Sequence, residues 1–220
     1  LTVPPAVTAK MVTTIDHISH GRFGVNIVTG AFPTEYTQMG LWQLEHDERY
    51  DQAADYVTCL RSLWTDERSN FDGAYFKLDD CEHEPKPLRK PSPPVICAGI
   101  SEKGLDFTAT HGDISFIAGA SLEIAGDKAQ EVKALARKKG RSVRAMACVV
   151  PIGGESSGEA EARYQHYVDG RDTGAVETMM SELGMRGGSF PEEMFDAMMF
   201  FGTPAVGTSE MIAEQLIQLQ

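Results

Sequence analysis

The run PVICAGISEKG occupies residues 94–104. Val95, Ile96, Cys97 and Ala98 form a short apolar stretch behind a proline, the pattern of a buried strand. Gly99 ends it, and Ser101 stands where a helix begins, with Gly104 three residues on. A strand that passes through a Gly turn into a Ser-capped helix leaves backbone N–H groups facing outward. Together with the helix dipole these suit an anion, usually a phosphate. Ser caps helices equally well with no ligand, so at this point both readings stand.

On either side of this run the chain alternates. Residues 5–20 read as a helix, with Pro5 in the first turn, Val7, Met11, Ile15 and Ile18 at helical spacing, and Gly21 as the stop. Arg22–Thr29 reads as a strand interrupted by Asn26. Residues 48–64 form an amphipathic helix, with Asp47 as candidate N-cap and Ala53, Tyr56, Val57, Leu60 and Trp64 as its buried stripe. Phe71–Leu78 reads as a hairpin turning at Asp72-Gly73, followed by a proline-rich connector from Pro85 to Pro94. Then come a strand at 94–98, a helix at about 102–111, a strand at Asp113–Ala118 and a helix at 122–139. A strand at Arg144–Pro151 and a helix at 155–169 follow, and Thr208–Leu219 closes the chain as a helix.

Alternating strands and helices imply βαβ units and a parallel sheet, and strands apolar on both faces fit one covered by helices. A doubly wound sheet and a β/α barrel both match. No G-x-G-x-x-G follows the first strand, which counts against a dinucleotide-binding domain. Residues 171–207 break the rhythm with a Gly-rich run holding six of the ten methionines. A mobile lid over a pocket and a surface excursion packed on the body both fit it.

Composition narrows the function. The 220 residues are 42% hydrophobic and 24% charged, an ordinary globular balance with no run long enough to span a bilayer. A net charge of −12 argues against nucleic acid or an anionic membrane as the main partner. No signal-peptide core opens the chain. Cys59, Cys81, Cys97 and Cys148 contain no C-x-x-C pair, so free thiols in the cytoplasm are expected and a metal site is not. His17 and His20 lack the carboxylate pattern of a zinc helix. No Ser-His-Asp or two-carboxylate hydrolytic set is evident.

Three polar features fall at strand exits. Asn26 lies inside an apolar strand, where a buried amide needs partners, whether a heterocycle edge or a neighbouring loop. Arg49 and Tyr50 sit in the first turn of a helix within HDERYD. A cation is unfavourable there unless an anion or acid stands beside it, and Glu48 and Asp51 offer a local alternative. Ser101 is the third.

GRFGVNIVTG, EY at 35–36, HDERYD, FDGAYFKL, EPKPL, PPVICAGISEKG and VGTSEMIAEQL together resemble the bacterial luciferase-like flavin monooxygenases. The resemblance runs in order along nearly the whole chain. It is strongest to the branch that opens the uracil ring, and next to the alkanesulfonate and dimethyl sulfone enzymes.

That resemblance implies an α/β fold of the (β/α)8 TIM-barrel type in one domain spanning 1–220, with 171–207 as an insertion or lid. A full barrel takes about 250 residues, so the barrel is expected to be incomplete, lacking its N-terminal strands and its last strand. Unpaired sheet edges then favour a homo-oligomer. The implied cofactor is reduced FMN (FMNH2) with O2, contacted by Asn26, Glu35, Arg49, Tyr50 and Ser101. Ser101 and Tyr50 hold the phosphate, Asn26 lies near the ring or ribityl chain, and Glu35 and Arg49 order the loop after the first strand. NAD(P)H acts indirectly, through a separate flavin reductase. The implied function is oxidation of a small pyrimidine-like amide. An organosulfur substrate and a non-catalytic flavin-binding fragment are the alternatives.

Overall fold

The computed structural model describes residues 1–117, 121–182, 200 and 202–218. Within them the order is α1 (Pro5–Ile18), β1 (Val25–Ile27), α2 (Pro33–Gln38), α3 (His46–Thr65), β2 (Arg68–Asp72), β3 (Lys77–Glu82), β4 (Val95–Cys97), α4 (Glu102–His111) and β5 (Ile114–Ile117). Then follow α5 (Leu122–Lys138), β6 (Arg144–Ala147), β7 (Val149–Gly153), α6 (Ser157–Asp169), α7 (Thr173–Glu182), β8 (Thr203–Gly207) and α8 (Ser209–Ile217). The chain divides into two compact units, residues 1–115 with 131–145, and residues 116–130 with 146–220.

The first unit is built on a sheet in the order β1-β4-β5-β6, in which β1 pairs parallel with β4 and β4 with β5. Parallel register puts Val25 beside Val95, Ile27 beside Cys97, and Cys97 in turn beside Ser115, all on one face. Helices cover that face. Ala9 and Val12 of α1, the stripe Tyr50, Ala53, Tyr56, Val57, Leu60, Leu63 and Trp64 of α3, and Phe107 of α4 close over Ile27, Val95 and Cys97. Farther along, Leu105 and Ala109 of α4 pack on Val132 and Ala136 of α5 and on Val143. Asn26 and Ile96 share the opposite face, which leaves Asn26 exposed and Ile96 half-buried.

The second unit pairs β7 and β8 in parallel from Val149–Thr203 to Gly153–Gly207, with α6 and α8 packed on them. The expected strand Arg144–Pro151 is therefore two strands. The ladder breaks at Cys148, whose N–H donates to Ile117 O while its own carbonyl accepts from Thr203 N. The segment read as one insertion, 171–207, contains α7 and strand β8; its methionine-rich middle, 183–199, lies outside the described residues. β8 was hidden in sequence because Gly202, Pro204 and Gly207 weaken its strand signal.

Other boundaries moved for local reasons. α3 starts two residues before its expected position because Glu45 caps it. Glu45 and Glu48 form a reciprocal capping box, leaving Asp47 inside the first turn. The hairpin exists but its strands are longer, with Asp72 opposite Lys77 and a Gly73–Phe76 turn. The face of α1 is inverted. Val7, Met11, Ile15 and Ile18 are exposed, while Pro5, Ala9, Val12, Thr13 and Asp16 are buried. The polar members of that buried face tie down the proline-rich connector. Thr13 Oγ1 lies 2.9 Å from His83 Nε2, and Asp16 Oδ2 accepts from Arg89 N at 3.0 Å.

Candidate functional site

β4 ends at Cys97, and the chain crosses Ala98-Gly99-Ile100 to reach α4. Ser101 is the N-cap of α4, at φ −67° and ψ 162°, and its Oγ accepts from Gly104 N at 3.1 Å. Capping leaves the N–H groups of Glu102 and Lys103 without intrahelical partners. The N-terminus of α3 arrives beside it. His46 Nε2 lies 3.3 Å from Ser101 Oγ, and the His46 ring meets Tyr50 edge-on with centroids 5.3 Å apart.

Tyr50 is buried, with its ring also against Phe107. Its hydroxyl is held against the turn: a methyl added at Gly99 would overlap Tyr50 Oη, and one at Gly104 would fall 2.7 Å from it. Both positions therefore require glycine for close approach of the turn, the helix start and the phenol. Gly104 is further constrained because its added methyl would lie 2.9 Å from the Gly99 backbone.

Arg49 precedes Tyr50 and is half-buried, and its Nε is buried with no hydrogen-bond acceptor among the described residues. Arg49 and Glu35 both act on the Tyr36 hydroxyl. Burial pushes that hydroxyl above the ordinary tyrosine range, Arg49 opposes the rise and Glu35 adds to it. Tyr36 Oη donates to Thr29 O at 3.3 Å, so this cluster flanks the exit of β1. Lys103 completes the positive groups. Its Nζ donates to Asp51 Oδ1 at 2.7 Å, and this bond holds the ammonium above its ordinary range.

Of the five residues expected at the site, Tyr50 and Ser101 meet at one turn and Arg49 stands next to Tyr50. Glu35 lies on the exposed side of α2, within electrostatic reach of Tyr36. Asn26 is placed differently from the expected buried amide: it is exposed, on the strand face it shares with Ile96. His46 is the residue that sequence reasoning missed. The available signal was its i, i+4 relation to Tyr50; the contact with Ser101 spans 55 positions.

His46 Nδ1 also lies 2.7 Å from Asp47 Oδ1, giving the line Asp47–His46–Ser101. The order is that of a hydrolytic triad, which the sequence did not reveal. However, the His46 and Asp47 side chains are 50% and 72% exposed and Ser101 Oγ is engaged in capping. Water screens the pair, and the line works as a polar junction between two helix starts. Among the described residues no group of three or more His, Cys, Asp or Glu side chains is placed to hold a metal, and no helix is long and apolar enough to cross a membrane.

Comparison with known proteins matches this geometry to a family. The model of the luciferase-like monooxygenases matches residues 1–220. The pyrimidine monooxygenase RutA of Allorhizobium ampelinum is 43% identical over 190 residues, covering 84% of this chain and 51% of that protein. RutA of Cronobacter sakazakii is 42% identical over 196 residues, covering 86% and 57%. The chain thus spans about half the length of the curated relatives it matches. Among solved structures, long-chain alkane monooxygenase LadA superimposes with a TM-score of 0.83 at 24% identity, covering 99% of this chain and 59% of that one. Riboflavin lyase RcaE, solved with modified FMN and riboflavin, gives 0.83 at 22% identity, covering 100% and 61%. The parallel sheet with its covering helices is thus the α/β architecture of these barrel-type enzymes, and the chain belongs to the luciferase-like monooxygenase family.

Proposed function

We propose that this chain carries the reduced-FMN site of a monooxygenase that uses O2 to oxidise a small pyrimidine-like amide. The observation that carries the reading is the junction of Ser101, His46 and Tyr50; Arg49, next to Tyr50 in sequence, has a buried Nε with no acceptor among the described residues. The residues fit the group. A phosphate supplies acceptors for the amides of Glu102 and Lys103, and the glycine turn keeps side chains out of its way.

In this reading Ser101, the first amides of α4 and Tyr50 hold the phosphate, with His46 beside them. Arg49 and Glu35 order the connection after β1, and Asn26 lies near the ring or the ribityl chain. When bound, reduced FMN supplies the electrons that activate O2. The protein binds and orients the partners and keeps water out. Reduced flavin comes from a separate NAD(P)H:flavin reductase, since no dinucleotide fingerprint follows β1. A cytoplasmic setting is supported by four free cysteines. Association of copies is supported by the exposed apolar stripe of α1.

Titration with FMN and with riboflavin, which lacks the phosphate, tests the reading. Ser101→Ala and Tyr50→Phe are expected to weaken FMN by about tenfold while leaving riboflavin nearly unchanged. Equal losses for the two ligands remove the phosphate assignment. Absence of binding by either removes the flavin.

A further inference from the structure

Trp42 is 94% exposed, the highest exposure of any large apolar side chain among the described residues, whereas Trp64 is 1% exposed. An indole is seldom left in water, because it is the side chain with most apolar area to bury. It is not alone. Val28, Met39, Leu41 and Ile100 are also exposed, and all stand on connections leaving the carboxyl ends of β1 and β4 or on the α2–α3 loop that follows β1. Ligands of parallel α/β sheets bind at that end.

The chain around Trp42 is tied to the site at both ends. Upstream, Leu41 N donates to Tyr36 O at 2.9 Å, and Tyr36 Oη donates to Thr29 O. Downstream, the Glu45–Glu48 capping box fixes the start of α3, where His46 meets Ser101. Trp42 therefore lies between two fixed points that flank the exits of β1 and β4, four residues from His46. Gly40, at φ +69° with open space around it, turns the chain into this connection. Gln43, the residue after Trp42, has a buried Nε2 with no acceptor among the described residues. An exposed indole on the loop between those two points, at the carboxyl ends of β1 and β4, suits the face of a planar ligand.

We infer that Trp42 is a ring-contact residue of this site: its indole closes on the flavin ring system when the cofactor occupies the open face at Asn26 and Ile96. The inference rests on the flavin reading above and adds to it a residue that touches the ring and not the phosphate. Trp42 is thus expected to matter equally for FMN and riboflavin, in contrast to Ser101.

The chain's two tryptophans make the test direct. The iodide quenching rate of Trp42 is obtained from fluorescence lifetimes as the difference between the wild type and Trp42→Phe, so energy transfer to flavin does not enter. Saturating FMN or riboflavin is expected to lower that rate by about fivefold, because a stacked indole is shielded from the quencher. Trp42→Ala is expected to weaken both ligands by about tenfold, the range of an aromatic contact, with Trp42→Phe weakening them less. Circular dichroism checks that each variant is folded, as an exposed position allows. Flavin binding that leaves Trp42 as accessible as before, or a Trp42→Ala protein that binds riboflavin within twofold of wild type, overturns the inference alone. Failure of the wild type to bind either flavin overturns the cofactor reading and this inference with it.

Discussion

His46 Nε2 and Ser101 Oγ lie 3.3 Å apart, joining the N-termini of α3 and α4 across 55 positions of sequence. Two helix starts meeting at one hydroxyl concentrate positive potential at the exit of β4. The two starts are not equivalent, however. The capping box of α3 engages the amides of both Glu45 and Glu48 and sets their two carboxylates at that helix start, while α4 is capped by the neutral Ser101 through the Gly104 amide alone. In the proposed reading the phosphate therefore sits at α4.

Ser101→Asp separates capping from binding. Asp caps as well as Ser, so stability in urea is expected to change by less than about 0.5 kcal/mol, whereas Ser101→Ala is expected to lose about 1 kcal/mol. FMN binding behaves the opposite way. The Asp carboxylate repels a phosphate, so Ser101→Asp is expected to lose more FMN affinity than Ser101→Ala. Calorimetric titration beside urea melts checks both halves.

The Gly99–Tyr50 contact predicts a rescue. Gly99→Ala places a methyl on Tyr50 Oη and is expected to destabilise the protein by about 1–3 kcal/mol. Adding Tyr50→Phe removes the clashing oxygen and is expected to recover part of that loss. At Gly104 the same second change is expected to recover little, because the Gly99 backbone also stands within 2.9 Å of the added methyl. Unfolding free energies of the two double-mutant cycles decide the matter.

Acid is expected to act through His83. Burial pushes this imidazole down from 6.5 to about 4, with Lys10 and Lys86 adding to the shift and Glu84 opposing it. The unfolded chain therefore takes up a proton that the folded protein refuses. Stability is present in full above about pH 6.5 and falls as pH drops toward about 4, by a total on the order of 3 kcal/mol. His83→Gln is expected to flatten that limb of the pH profile, seen as a reduced slope of unfolding free energy between pH 6.5 and 4.

The exposed stripe of α1 makes a prediction about assembly. Val7, Met11, Ile15 and Ile18 run along one side with Lys10 as the charged neighbour, on a chain of net charge −12 that otherwise repels its copies. Met11→Glu with Ile18→Glu is expected to lower the molar mass measured by light scattering at micromolar concentration, without changing the circular dichroism. A wild type that already scatters as one chain removes the homo-oligomer.

Several features were legible before any coordinates. The 3.6-residue stripe of α3, the strand at Val95–Cys97 and the Ser101 cap followed from local periodicity and capping chemistry, which need few residues to declare themselves. The exposed side of α1 was not legible. Both sides of that helix carry apolar residues, and the small ones, Ala9 and Val12, let α3 approach. Asn26 read as buried because an apolar run does not reveal which sheet face is covered. Cys148 gave no sign of a break, since the ladder switches there between two partners far apart in sequence.

By itself the order of residues determined the elements and the capped turn after β4, because helix and strand preferences are local. Only the tertiary structure decided what meets at that turn. His46, Tyr50 and the two glycines converge through the packing of α3 on α4 and β4, and contacts between distant segments depend on which faces are buried together.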